Sequence, residues 1–398
     1  MANKNLCSAK QAKNDEFYTQ YYDIEKEVFA YLDYNPNVFR DKTILLPCDD
    51  PEWSNFTKFF AQNFEKFGLK KLISTSYAND SKNCRLEYQP TLFETKDPQY
   101  DQNKTTKNGK IFTLTSDKSK DGKINVEDLQ WHYLNGDGDF RSDEVKKLRD
   151  EADVIITNPP FSLFREFLAW IVKAKKQFLI IGNMNAVTYK EVFPLIKANQ
   201  LWYGPSISSG DREFQVPTET PLNASGWRID KKGNKFLRIK GVRWFTNLDH
   251  GRRHQPLPLM TMADNLKFSK HKEIRGKTAY DHYDNYNAIE VPFTDAIPKD
   301  YDGAMGVPIS FLDKYSPEQF EILGITSGRN EFEAIPTKRY INPKQINKDG
   351  SITNGSKANT RATILLTNKP NDVYYTANDT VGYLTILYAR IIIKRKRV

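Results

Sequence analysis

Apolar and polar positions sort the chain into a regular first part and a more irregular second one. Between residues 15 and 35, apolar side chains recur at helical spacing through Ile24, Val28, Phe29 and Leu32. The spacing predicts a helix behind a loop that carries Phe17, Tyr18, Thr19 and Gln20. Thr43–Leu46 is a short unbroken apolar run, the pattern of a strand buried on both faces. It leads into an acidic loop with Asp49, Asp50, Pro51, Ser54 and Asn55. A helix over 56–67 is expected to stop at Gly68, and 72–77 reads as the next strand. Helix, strand, acidic loop, helix, strand is the opening of a doubly wound α/β sheet.

From about 79 to 135 the chain is polar and irregular, with strand-like pieces such as 110–114. Regularity resumes at Asp153, where Val154, Ile155 and Ile156 run apolar into Asn158, Pro159, Pro160 and Phe161. Helix is expected over 164–174, strand over 177–182 and helix over 187–198. Past Trp202 the texture shifts to Gly, Pro, Trp and basic residues, with alternating runs at 236–239 and 242–245. A strand through Phe245 can still close the first sheet, which places the boundary near 250: one domain over 1–250 and a second region over 251–398. No internal repeat is visible.

With 398 residues the chain has room for two domains. Its mean hydropathy of −0.67 and the lack of any apolar run of about 18 residues make a membrane span unexpected. Met1 to Asn5 lead into polar sequence without the apolar centre of a signal peptide, so the expected compartment is the cytoplasm. Cys7, Cys48 and Cys84 are too few and too scattered for a disulfide scaffold or a zinc site. The net charge of +9 gathers between Lys231 and Lys277 and in the tail Lys394 to Arg397, which points to a polyanionic partner.

The turn at Asn158 carries the most specific chemistry. Neither proline has a free amide, so the carbonyls and the Asn158 side chain point outward at the end of a strand. An amide oxygen, a fixed turn and the flat ring of Phe161 suit a planar amine. Adenine N6 can give one hydrogen to Asn158 and one to the Pro159 carbonyl while its ring stacks on Phe161. Trp244 and Phe245 are candidates for a second aromatic face opposite that ring.

The loop after the first strand lacks the glycines of a phosphate cradle, and its acids suit a cationic group such as the amino group of a methionine-derived cofactor. A second acidic loop, from Asn135 to Phe140, offers Asp139 to a cofactor's adenine amine. The stretch from Asp117 to Asp128 nearly spells a calcium loop, but its last ligand is a short Asp and strand-like sequence precedes it. His250 and His254 stand at ligand spacing with no acid or cysteine to complete a set. With Arg252 and Arg253 between them, phosphate contact is the expected role and no metal is expected.

Four of these features occur in the order seen in amino-group DNA methyltransferases: Phe17-Tyr18-Thr19, the loop with Asp49-Asp50-Pro51, Gly138-Asp139-Phe140, and Asn158-Pro159-Pro160-Phe161. With Gly182-Asn183-Met184-Asn185, Arg243-Trp244-Phe245-Thr246-Asn247 and Tyr388-Ala389-Arg390, the chain most closely resembles the EcoRI-type adenine-specific methyltransferases. The resemblance implies a Rossmann-like doubly wound methyltransferase sheet with a C-terminal mixed α+β target-recognition region. It implies S-adenosylmethionine as donor and adenine N6 in double-stranded DNA as acceptor, in a restriction-modification setting with no stable protein partner.

On that reading Asn158, Pro159, Pro160 and Phe161 are catalytic. Tyr18, Thr19, Asp49, Asp50, Pro51, Ser54, Asn55, Asp139 and Phe140 hold the cofactor, and Trp244, Phe245, Arg252 and Arg253 meet the substrate. The 72–77 strand ends without the acid that commonly binds a cofactor ribose, a place left to Glu52 or Asp80. The alternatives are RNA adenine methylation and a catalytically silent DNA-binding protein.

Overall fold

The structure is a computed structural model, and it describes residues 19–47, 49, 54–78, 97–206, 211–216, 226–327 and 334–396. The described residues of Met1–Asn183 and Tyr203–Gly251 form one compact unit, and those of Met184–Trp202 and Arg252–Val398 a second. Among the described residues no helix is long and apolar enough to cross a membrane.

The strands of the first part are β1 (Thr43–Leu46), β2 (Lys71–Ser76), β3 (Lys110–Leu114), β4 (Gln130–Tyr133), β5 (Val154–Thr157), β6 (Gln177–Asn183) and β7 (Trp202–Tyr203). Then β8 (Asp211–Val216), β9 (Trp227–Ile229) and β10 (Lys235–Lys240) make a separate antiparallel sheet in the order β8-β10-β9. With β11 (Val242–Thr246), the main sheet runs β4-β3-β2-β1-β5-β6-β11-β7. Its centre, β2-β1-β5-β6, is parallel, whereas β3, β4 and β11 pair antiparallel. The fold is therefore α/β with a mixed sheet.

Both central strands are buried along their whole length, as their unbroken apolar runs require. Ile44, Leu46, Val154 and Ile156 face Ile24, Val28 and Tyr31 of the helix Tyr21–Tyr34 and a cluster of phenylalanines that includes Phe56, Phe59, Phe60 and Phe67. The alternate residues Leu45, Ile155 and Ile180 are equally buried, so the other face is covered too.

Three expectations need correction. The 56–67 helix is two, Asn55–Gln62 and Phe64–Phe67. Asn63 interrupts it by turning its side-chain amide onto the Phe59 carbonyl at 2.9 Å. Gly68 ends the second at φ +64°, where a β-carbon is disfavoured. The 187–198 segment holds only a 3₁₀ turn, Met184–Thr188, and a short helix, Phe193–Lys197, because Pro194 can sit in a first turn but not inside a helix. Finally, the polar stretch before residue 135 supplies, besides the expected strand at 110–114 (β3), a further strand, β4, and both extend the main sheet.

The second unit is mixed in the same way. A four-stranded sheet contains β12 (Ile289–Glu290), β13 (Met305–Pro308) and β14 (Phe320–Ile325). A five-stranded antiparallel sheet contains β15 (Lys344–Ile346), β16 (Ile352–Asn354), β17 (Thr363–Leu366), β18 (Tyr374–Ala377) and β19 (Thr380–Ile386). The last strand, β20 (Arg390–Arg395), lies between β13 and β14. Buried Asn285 pins the five-stranded sheet: it donates to the carbonyls of Ala358 (3.1 Å) and Arg361 (2.7 Å) and accepts from the Thr363 amide (2.9 Å).

Candidate active site

The carboxyl ends of β1, β2 and β5 meet, because the three strands are parallel neighbours in the sheet. Open α/β sheets bind ligands at this edge. The Thr157 hydroxyl, at the end of β5, donates to the Pro47 carbonyl just past β1 at 3.1 Å, with both groups buried. This joins the turn at Asn158 to the acidic loop.

Asp49 is nearly buried, and its position is fixed from three sides. Its carboxylate accepts from the Ser54 hydroxyl at 2.8 Å. Its carbonyl accepts from Thr57 at 2.8 Å and also from Ser74 of β2. The Thr57 and Ser74 hydroxyl oxygens lie 2.9 Å apart, so the two donors converge on that one carbonyl. Ser54 also caps the helix Asn55–Gln62, accepting from the amides of Phe56 (3.1 Å) and Thr57 (3.5 Å). One serine thus stabilises a helix start and aims a carboxylate. Asn55 donates to the Thr19 carbonyl at 2.7 Å, which brings Thr19 to the same place. The Thr19 hydroxyl is buried there without a hydrogen-bond partner among the described residues. Tyr18, Cys48, Asp50, Pro51, Glu52 and Asp80 lie outside the described residues.

The second acidic loop packs on the end of β2. Ala78 donates to the Asp137 carbonyl at 2.7 Å, and Gly138, at φ +87°, comes so close to the Ser76 carbonyl that a β-carbon would stand 2.3 Å from it. Only glycine fits that approach. Asp139 follows, mostly buried, held by its ion pair with Arg141 (2.5 Å) and by the Arg141 amide (2.8 Å). The hydrogen bond from the Arg141 side chain, aided by the one from Tyr77, keeps the Asp139 carboxyl below the ordinary carboxylate range. An acid therefore does stand beside the end of β2, delivered from a distant loop. Phe140 points elsewhere: it is buried against Phe167 and Trp170, with ring centroids 5.1 Å and 5.6 Å away, and belongs to the core.

At the turn, Pro159 is buried while Asn158, Pro160 and Phe161 are half-buried. The Leu163 amide donates to the Pro160 carbonyl at 2.9 Å and opens the 3₁₀ turn Phe161–Leu163, which runs into the helix Phe164–Lys173. Phe161 rests on the core and meets Phe214 of β8 edge-on, with centroids 6.5 Å apart. Phe214 escaped the sequence reading because no strand was assigned to 211–216.

Three of the four expected substrate contacts are placed differently. Trp244 and Phe245 have no exposed surface. As consecutive residues of β11 they point to opposite faces of the sheet, Trp244 toward Phe56 and Phe245 toward Phe164 and Tyr203. The structure gives both rings to the core. Arg253 is 7% exposed, its guanidinium lying 3.6 Å from the Trp202 ring centroid and donating to Asn199, so it packs within the second unit. Arg252, half-buried, sits beside it in the turn Gly251–His254.

The histidines separate as well: His250 is buried on the Tyr203 carbonyl at 2.9 Å, and His254 bonds Glu318 at 2.8 Å. Among the described residues no cluster of three metal-ligating side chains exists. In the calcium-like loop Asp128 turns inward, accepting from the amides of Lys118 (2.8 Å), Ser119 (2.8 Å) and Asn125 (2.9 Å).

This geometry can be set beside known proteins. A family profile described as the adenine-specific methyltransferase EcoRI matches residues 5–396. The chain is 42% identical over 329 residues to the Type II methyltransferase M.EcoRI of Escherichia coli, covering 83% of this chain and 91% of that one. It is 35% identical over 336 residues to the Type II methyltransferase M.MpnI of Mycoplasma pneumoniae, with 84% and 89% covered. It is 36% identical over 318 residues to the Type II methyltransferase M.MgeORF184P of Mycoplasma genitalium, with 79% and 84% covered. No solved structure matches. With the family profile spanning nearly all of its length, the chain belongs to the EcoRI family of adenine-specific methyltransferases.

Proposed function

We propose that this family member is a site-specific DNA methyltransferase of the Type II, restriction-modification kind. It takes a methyl group from S-adenosylmethionine and places it on N6 of an adenine turned out of duplex DNA. The observation that carries the reading is the Thr157–Pro47 hydrogen bond, which sets the amine-binding turn beside the Asp49–Ser54 pair. A solvated acidic loop would have no need of three buried hydroxyls to fix one aspartate.

The residues present fit the donor. The Asp49 carboxylate, oriented by Ser54, suits its ammonium group, and the buried Thr19 hydroxyl, without a hydrogen-bond partner among the described residues, offers a polar contact at the same edge. Asp139, beside the end of β2, is the candidate for its ribose or adenine amine. Tyr18, Asp50, Pro51 and Asn55 belong to the same set by family likeness. Bound there, the donor supplies an electrophilic methyl group on a sulfonium, whose thioether leaves without needing a proton.

What the chain does is to position the amine. Asn158 and the Pro159 carbonyl accept its two hydrogens, which concentrates electron density on nitrogen, and Phe161 stacks on the ring. The proton leaves after the new bond forms, so no strong base is required. Preorganised acceptors and proximity carry the rate. Extruding the base costs a few kcal/mol, which binding to the DNA offsets. Residues 1–250 form the catalytic domain and 251–398 the target-recognition region, where Arg252 and nearby lysines anchor phosphates. The enzyme works in the cytoplasm, where its DNA is, with a nuclease of matching specificity as functional counterpart.

Labelled methyl incorporation into duplex DNA against RNA tests the substrate class, and modification-sensitive sequencing of DNA from expressing cells gives base and context. Transfer to RNA alone would overturn the DNA reading.

A further inference from the structure

The three-stranded sheet β8-β10-β9 has a use beyond supporting the turn at Asn158. Its register places Phe214, Leu237 and Trp227 directly opposite one another on successive strands, so the three side chains share one face. Val216, Lys235 and Ile229 form the next row on that face. The row begins at the active-site turn, where Phe214 meets Phe161. It passes through buried Leu237 and ends in Trp227, which is 46% exposed, and Ile229 at the end of the next row is 51% exposed. Two strand spacings of about 4.8 Å each bring Trp227 to within roughly 10 Å of Phe214 along the row. A tryptophan left half in water at the open end of an apolar row is a ready stacking surface.

The charge around it selects the occupant. Residues 226–241 carry six basic side chains, Arg228, Lys231, Lys232, Lys235, Arg238 and Lys240, against one acid, Asp230. That acid is used in building the turn: its carboxylate accepts from the amides of Lys232 (2.8 Å) and Asn234 (2.9 Å) and from the Asn234 side chain (2.9 Å). Lys231 and Lys232 are thereby held at an exposed tip, and neither has an ion-pair partner among the described residues. On the other face Arg228 lies over the Phe236 ring at 4.3 Å and pairs with Glu213 at 2.6 Å, which stiffens β9 from behind.

We propose that the β9–β10 hairpin is a DNA-gripping arm of the catalytic unit, in which Trp227 stacks on a base next to the target adenine and Lys231 and Lys232 hold the neighbouring phosphates. The inference rests on DNA being the substrate. It adds a contact that belongs to the catalytic unit itself, separate from the basic region beyond residue 251. An aromatic platform beside a row of cations is the chemistry that holds an unstacked strand.

The test uses the full-length protein and a labelled duplex bearing the methylated site, with 2-aminopurine in place of the target adenine. Trp227→Ala is expected to weaken duplex binding about tenfold, the worth of one base–aromatic stack, and Trp227→Phe to recover most of it. Donor affinity by calorimetry should stay unchanged in both, as should the 2-aminopurine signal per bound duplex. Lys231→Ala with Lys232→Ala should lower the slope of log K against log salt by about two.

Wild-type affinity in Trp227→Ala, an unchanged salt slope, or a Trp227-dependent dimer with unaltered DNA binding would each overturn the arm. If Trp227→Ala loses donor affinity too, the lysine pair decides alone, since it lies on an exposed turn. A wild-type protein that leaves duplex DNA unmethylated defeats the proposed function; active wild type with indifferent variants defeats only the arm.

Discussion

The Thr157 hydroxyl donates a buried 3.1 Å hydrogen bond to the carbonyl of Pro47, so the loop for one ligand and the turn for the other are fastened to each other directly. Thr157→Val keeps the shape and leaves the carbonyl unsatisfied. Stability is expected to fall by about 1–3 kcal/mol in a denaturant titration. Donor binding and methyl transfer should weaken together, and Thr157→Ser should restore both. A variant with wild-type stability and activity would show the tether to be idle.

Asn158→Ala removes the acceptor for one amine hydrogen. Methyl transfer should drop on the order of 10²–10³-fold or more, with donor affinity kept, as measured by single-turnover incorporation and calorimetry. Loss of donor binding instead would move Asn158 into the donor's site.

Ser54→Ala separates two roles of one hydroxyl. The lost cap costs about 1 kcal/mol of stability. The released Asp49 should cost donor affinity in addition, so Ser54→Gly, which tolerates the cap position better, recovers stability but not affinity.

Acid should reach Asp128 late. Three backbone amides hold its carboxyl down to about 2 from 3.8. A depressed folded-state value means that its stabilising contribution is complete above the unfolded value of 3.8 and is lost as the pH falls through about 2. Asp128→Asn should flatten the stability curve across that window, measured by thermal melts at graded pH. Asp139, lowered by Arg141, acts in the same sense.

Much of the architecture was legible because the central strands are covered on both sides and so show unbroken apolar runs, as at Val154 to Ile156. β4 hid for the opposite reason: Gln130 and His132 face water while Trp131 and Tyr133 turn inward, and so short an alternation is lost in polar surroundings. In the site, Asp49 and Asn158 could be picked out because they follow strands. The supporting hydroxyls of Thr57 and Ser74 could not, since their value depends on a contact between residues 17 positions apart. Trp244 and Phe245 misled as an aromatic pair, although strand parity alone forbids them a common face.

Gly138 pressed against the Ser76 carbonyl has one more implication. An acid that followed β2 directly would tie the site to one local run of chain. Here the acid arrives from a loop that docks on the end of β2 through its own backbone, the Asp137 carbonyl on the Ala78 amide and Gly138 on the Ser76 carbonyl. Lengthening a connection costs little, about 0.6 kcal/mol for each doubling. The place of the acid is thus set by where its loop docks, and a longer connection to that loop should lower stability slightly without moving the carboxylate.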